Sequence, residues 1–313
     1  MEYVLTTQNL TKRYHNFTAL DGLDMHVPKG SIYGFVGRNG AGKTTLIRLI
    51  CGLQFPTSGD FTLYGVNSGR GIEKARRRIG AVVETPSLYL DMTAEDNLKL
   101  QYLTLGLPSY EGISELLNMV GLGDTGKKKV KNFSLGMRQR LGIAVALCGS
   151  PDFLLLDEPI NGLDPQGIIE IRELILKLNR EKQITFMISS HILDELSRLA
   201  THYGFINAGR MVKEISAQEL ERECRKCARV QVSDTKKLAS VLDGMGAEYS
   251  VIDDAHADIY AQISITSLSN ELSKAGCELI SMNEHDESLE SYSINLVDDN
   301  KQVRMESTER KVK

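Results

Sequence analysis

Gly37-Arg38-Asn39-Gly40-Ala41-Gly42-Lys43-Thr44 fits the pattern G-x-x-x-x-G-K-[ST] at every fixed position. A strand pattern over residues 31–36 leads into it, and a helical pattern runs from Lys43 to about residue 51. Strand, glycine loop and helix in that order form a cradle for a phosphate chain. Glycines let backbone N–H groups turn inward without side chains in the way, and the helix start adds the positive end of its dipole. Lys43 is placed to reach the β- and γ-phosphates, and the Thr44 hydroxyl to bind magnesium. The expected nucleotide-binding residues are Gly37, Arg38, Asn39, Gly40, Ala41, Gly42, Lys43, Thr44 and the adjoining Thr45. The loop alone says only nucleotide phosphate, because kinases, GTPases and many ATPases share it.

Working outward, short strand patterns alternate with amphipathic helices from residue 1 to about 215, which predicts an α/β domain with a mostly parallel core sheet. Further strands are expected at 60–64, 79–84, 153–156 and 184–189. Thr93, with Asp96 three residues on, reads as a helix start, and the segment from about 92 to 150 as a helical lobe. Pro165 opens a helix whose Ile168, Ile171, Leu174, Ile175 and Leu178 share one face. Residues 216–313 read as a small α+β accessory domain with a frayed tail after about 298. Its expected strands (228–232, 248–252, 259–263, 277–282) and helices (235–245, 267–275) follow the order β-α-β-β-α-β, that of a ferredoxin-like unit. No internal repeat is evident, so a single motor domain is expected.

A second acidic site narrows the chemistry. In Phe153-Leu154-Leu155-Leu156-Asp157-Glu158-Pro159 an apolar strand delivers two adjacent acids at its carboxyl end. Asp157 is placed to hold magnesium, and Glu158 to take a proton from an attacking water. Acids so close to a buried strand need a partner or a solvent-facing site.

The segment Asn132-Phe133-Ser134-Leu135-Gly136-Met137-Arg138-Gln139-Arg140 precedes an amphipathic helix, with Ser134 a natural N-cap. It resembles the signature motif of ABC ATPases, written L-S-G-G-Q, keeping Ser134 and Gly136 and departing at Leu135 and Met137. The resemblance implies a phosphate-loop ABC ATPase fold and an enzyme that hydrolyses ATP with Mg2+. It also implies a second copy of the chain, whose Ser134 and Gly136 approach the γ-phosphate held by the first, with fixed dipoles aimed at that charge. By the same resemblance Tyr14 matches the aromatic on which adenine stacks, Asp164 in Asn161-Gly162-Leu163-Asp164 belongs to the D-loop, and His191 in Ser189-Ser190-His191 is the switch histidine. Where the family normally has a glutamine, this chain has Glu84, which when ionised only accepts hydrogen bonds and adds charge; with Glu158 and His191 it is expected in the catalytic site, within approach of magnesium or the attacking water. Glu84, with Phe133-Ser134-Leu135-Gly136-Met137-Arg138-Gln139-Arg140, is similar to the ATPases of bacitracin-resistance and lantibiotic self-protection exporters. That similarity implies export of a peptide antibiotic through a separate transmembrane permease, with the chain on the cytoplasmic face of the plasma membrane. A soluble, non-transport ABC ATPase and a nucleotide-sensing regulatory module are the rival readings.

Composition agrees with this and excludes other classes. The 313 residues are 42% hydrophobic and 25% charged with a net charge of -4, which gives no general basic footprint for nucleic acid. No run approaches the ~20 apolar residues of a membrane-spanning helix. The start, Met1-Glu2-Tyr3-Val4, shows no secretory signal, so the chain is expected in the cytosol. Five scattered cysteines suit a reducing compartment. Cys224-Arg225-Lys226-Cys227 has the spacing of half a zinc site, but no second pair exists, and two residues of one helix is the plainer reading. The runs Arg76-Arg77-Arg78 and Lys127-Lys128-Lys129 with Lys131 read as solvated faces rather than membrane-facing patches.

Overall fold

The computed structural model describes residues 2–67, 69–224, 227–261, 263–285 and Tyr292. The chain divides into two compact units, the first ending at Ala217 and the second beginning at Gln218.

The first unit opens with two long strands, β1 (Tyr3–Tyr14) and β2 (Phe17–Pro28), joined by a tight turn at His15 and Asn16. Strand β3 (Ile32–Val36) is wholly buried and leads into helix α1 (Lys43–Ile50). Then come β4 (Ser58–Leu63), α2 (Gly69–Arg76) and β5 (Ile79–Val82). The helical lobe holds α3 (Ala94–Leu105), α4 (Gly112–Met119) and α5 (Leu135–Leu147). The unit closes with β6 (Phe153–Asp157), α6 (Pro165–Lys182), β7 (Thr185–Ser190), α7 (Leu193–Ser197), β8 (His202–Asn207) and β9 (Arg210–Ser216).

These strands form two sheets. The larger has the order β5-β6-β7-β3-β8-β9 and is parallel except for β9, which pairs antiparallel with β8. Central parallel strands are covered on both faces, so they read as continuous apolar runs rather than alternating ones. That is why Phe153-Leu154-Leu155-Leu156 is buried at every position. The smaller sheet is antiparallel with the order β2-β1-β4. Its inward residues Leu5, Leu10, Leu20, Leu23 and Met25 share one core with Leu46, Ile47, Leu49 and Ile50 of α1 and with Phe153 and Leu155 of the larger sheet. Helix α1 therefore packs on both sides, leaving only Thr44, Thr45 and Arg48 partly exposed.

The antiparallel hairpin of β1 and β2 is not foreseen by the alternation of strands and helices. Its polar positions (Thr7, Thr11) are buried, which blurs the period of two: Thr7 Oγ1 donates to the Leu23 carbonyl at 2.8 Å. In the helical lobe, Thr93 accepts from the Asp96 N–H and Asp96 returns a bond to the Thr93 N–H, a capping box that fixes the start of α3. Both basic runs are partly built in. Arg76 Nε donates to the Ile50 carbonyl at 3.0 Å, Arg78 lies over Tyr64 and pairs with Asp152, and Lys131 pairs with Asp91.

Helix α8 (Ala217–Glu223) starts at the last residue of the first unit, and the second unit continues with β10 (Cys227–Val232), α9 (Thr235–Met245), β11 (Tyr249–Val251), β12 (His256–Ile259), α10 (Ile265–Lys274) and β13 (Leu279–His285). The four strands from β10 onward make an antiparallel sheet, β11-β12-β10-β13, and Leu238, Leu242, Leu268 and Leu272 of α9 and α10 pack on it. Strand β12 lies three residues earlier than the 259–263 expected. Asp253 Oδ1 accepts from the N–H groups of Ala255 and His256 at 2.7 and 2.8 Å, fixing a turn that starts the strand at His256. Cys224 and Cys227 do not share a helix, since Cys224 follows α8 and Cys227 opens β10. The frayed tail expected after about 298 lies outside the described residues.

Candidate functional site

The parallel strands end in polar residues at one edge of the larger sheet. Val36 pairs with Ser190 and Asp157 with Ser189, so the phosphate loop after β3, the acids of β6 and the serines of β7 meet there. In an open α/β sheet this carboxyl edge is where ligands bind.

The loop 37–42 needs its glycines. A Cβ on Gly37 would lie 2.6 Å from the Ile206 carbonyl oxygen. Gly42, the N-cap of α1, has φ +112°, and its Cβ would lie 2.5 Å from the Ala19 carbonyl. The Ala41 N–H turns back to the Arg38 carbonyl at 3.1 Å. Lys43 is only 6% exposed, and its Nζ donates to the Gly37 carbonyl at 2.6 Å. A charge so deeply buried must be paired. Glu158 supplies the partner, with Oε1 at 3.2 Å from Lys43 Nζ.

Asp157 is 1% exposed and is held by two hydroxyls: Thr44 Oγ1 donates to Oδ2 at 2.7 Å, and Ser189 Oγ donates to Oδ1. Glu158 leaves the strand at φ +49°, a left-handed conformation that residues other than glycine seldom adopt. Its N–H donates to the Ser189 carbonyl and hydroxyl, each at 3.1 Å, which holds that turn. Glu158 Oε2 lies 2.8 Å from His191 Nδ1. One carboxylate is thus shared between Lys43 of the loop and His191 beyond β7.

A cleft of about 220 Å³ opens here, lined by Asn39, Gly40, Gly42, Lys43, Thr44, Thr45 and Glu158, with Phe17 and Ala19 from the hairpin. Phe17 is missing from the residues expected on sequence. Tyr14, expected to face adenine, is not in the lining; its hydroxyl donates to Gln54 Oε1 and Lys12 Nζ lies 5.1 Å from its ring centre. Tyr14 and Phe17 are cross-strand partners at the hairpin tip, and Phe17 is 58% exposed. A sequence signal existed: an apolar ring three residues before the buried Leu20, in a polar stretch, has little reason to be there for packing.

Ser134, Gly136 and Asp164 do not line the cleft. Ser134 caps α5 by accepting from the Met137 N–H at 3.2 Å, and Asp164 caps α6 by accepting from the Gly167 N–H at 2.9 Å. No atom outside its immediate neighbourhood comes closer than 3.9 Å to a Cβ built on Gly136, so the signature backbone stays open. Glu84, at φ +60°, makes its ion pair with Arg48 of α1 rather than with Thr44 or Asp157.

A small antiparallel sheet sharing a core with a mostly parallel one, a phosphate loop and paired acids at the strand ends define an ATP-binding cassette. The ABC transporter family model matches residues 20–161. The bacitracin transport ATP-binding protein BcrA of Bacillus licheniformis is 41% identical, covering 95% of this chain and 98% of its own. The lantibiotic transport ATP-binding protein SrtF of Streptococcus pyogenes is 47% identical over 67% of this chain and 90% of its own. The dimeric post-hydrolysis structure of the cassette MJ0796, bound to ADP and Pi, has a TM-score of 0.61 at 25% identity, covering 68% of this chain and 98% of that one. The chain belongs to the ABC transporter family, as an ATP-binding and ATP-hydrolysing subunit. Among the described residues no helix is long and apolar enough to cross a membrane.

Proposed function

We propose that the protein powers export of a peptide antibiotic through a separate membrane permease, from the cytoplasmic face of the membrane. The bacitracin and lantibiotic relatives support the cargo class. The observation that carries the motor chemistry is the Glu158 carboxylate, shared by Lys43 and His191 beside the Thr44–Asp157 pair.

ATP binds with its triphosphate in the loop 37–45, where Lys43 exchanges Glu158 for the β- and γ-phosphates. Two hard oxygen donors 2.7 Å apart, Thr44 Oγ1 and Asp157 Oδ2, suit Mg2+, which takes few protein ligands and completes its shell with phosphates and water. Bound there, Mg2+ would neutralise charge developing on the phosphates. Once Lys43 has moved to the phosphates, Glu158 is free to accept a proton from water, and His191 keeps its carboxylate oriented. The open backbone at Gly136 and the cap at Ser134 are offered to the γ-phosphate of a second copy, as the dimeric relative suggests. Two copies closing on two ATP molecules then shift the permease between its states.

The test is to capture the permease from solubilised membranes with the tagged chain, then express the pair in a sensitive bacterium. Growth in bacitracin or a lantibiotic should rise with the wild type and not with Glu158→Gln. Phosphate release without any protection would remove the cargo assignment. Absence of phosphate release from the purified pair would remove the motor assignment.

A further inference from the structure

Helix α1 presents one partly exposed stripe, and each end of it holds a carboxylate. Thr44 holds Asp157, and Arg48, four residues later, holds Glu84. Positions i and i+4 lie on one helix face about 5–6 Å apart, so the Arg48–Glu84 pair sits one turn beyond the oxygens assigned to the cation. The sheet brings the same groups together independently. β5 and β6 pair in parallel with Val82 beside Leu156, and two residues further on stand Glu84 and Glu158. Glu84 and Glu158 thus follow the ends of two neighbouring strands, and with Asp157 they stand at the carboxyl edge of the sheet.

Lys43 answers Glu158 and Arg48 answers Glu84. A glutamine at position 84 would need no such answer, because it carries no charge. An unneutralised glutamate there would both repel a bound triphosphate and compete for its cation. The backbone at Glu84 is held in the left-handed region, φ +60°, which aims the side chain from a fixed base. The acid itself is 59% exposed and its guanidinium partner 35%, the setting of a weak, reversible ion pair.

We infer that Arg48 is a positioning residue that holds Glu84 off the Thr44–Asp157 cation site, releasing it to the cation only when the ion pair opens. The inference rests on the cation assignment made under the proposed function. It gives the acid at position 84 a control that an amide would not require, and it places that control on the helix that starts at the phosphate loop.

The full-length protein, saturated with a non-hydrolysable ATP analogue, can be titrated with Mn2+ and free Mn2+ followed by its electron paramagnetic resonance signal. Arg48→Met is expected to bind Mn2+ about two- to fivefold more tightly than the wild type, the scale of an exposed ion pair. Arg48→Lys should restore the wild-type value. In a Glu84→Gln background, Arg48→Met should change nothing. Unchanged Mn2+ affinity in Arg48→Met that still binds the analogue overturns the latch. A change that persists in the Glu84→Gln background also overturns it, assigning Arg48 to the packing of α1. If the wild type binds the analogue but no Mn2+, the cation assignment itself falls, a result distinct from either.

Discussion

Lys43 Nζ and Glu158 Oε1 stand 3.2 Å apart, so the cation proposed to grip the triphosphate and the acid proposed to activate water are each other's counter-charge. Nucleotide binding must break that pair. Neutralising the acid therefore has two effects of opposite sign. Glu158→Gln should lower phosphate release about 10²- to 10⁴-fold, the usual contribution of a positioned base. It should also bind ATP more tightly, because Lys43 no longer has a competing anion. Equilibrium binding with a fluorescent ATP analogue and gel filtration in ATP check both arms, the second expecting a stable dimer. Full turnover in the variant would remove Glu158 from the role of base.

Ser189 is a quieter participant. Its hydroxyl donates to Asp157, and its carbonyl and hydroxyl both accept from the Glu158 N–H. Ser189→Ala leaves a buried carboxylate one donor short, at a cost of about 1–3 kcal/mol. Urea unfolding should show the loss, and saturating Mg2+ with ATP should recover part of it, since a cation at Asp157 replaces the missing donor. A variant as stable as the wild type would mean that water replaces the hydroxyl.

Phe17 and Tyr14 make opposite predictions about the base. Phe17 lines the cleft, while the Tyr14 hydroxyl is committed to Gln54. Phe17→Ala should weaken binding of a fluorescent ATP analogue by about three- to tenfold, as loss of an aromatic stack of about 0.5–1.5 kcal/mol implies. Tyr14→Phe should leave it near the wild-type value. Weakening by Tyr14→Ala alone would return the adenine contact to the residue marked by the family resemblance.

How much of this was legible in the sequence depends on how local each signal was. The phosphate loop and the strand bearing Asp157 and Glu158 declare themselves, because glycine at fixed spacing and an apolar run ending in acids have few other uses. Thr93, Ser134 and Pro165 mark helix starts for the same local reason, and α3, α5 and α6 begin there. Glu84 stood out as a departure, but its bond to Arg48 joins residues 36 apart in sequence and needed the fold. Phe17 was invisible for a related reason: the hairpin brings it to the loop, and the hairpin itself was hidden by buried threonines. Strand β12 was misplaced because one aspartate's bonds to two backbone N–H groups set its start.

The capping box of α3 carries a pH dependence whose sign can be worked out. Hydrogen bonds from the Thr93 hydroxyl and then its backbone N–H hold the Asp96 carboxyl below its usual range. A carboxyl with a depressed folded-state value contributes stability that is complete above its unfolded value, near pH 4, and is lost as pH falls through the lower folded value. Thr93→Ala removes both the N-cap acceptor and the hydroxyl donor to Asp96, at a cost of about 1 kcal/mol at neutral pH. Below the folded value of Asp96 part of that difference should vanish, because the wild type has then lost the carboxylate's share as well. Urea unfolding curves of both proteins at neutral pH and at a series of values descending from pH 4 measure it. A gap that widens in acid would show that the carboxylate does not support the cap, and that α3 is held by packing of Leu98 and Tyr102 alone.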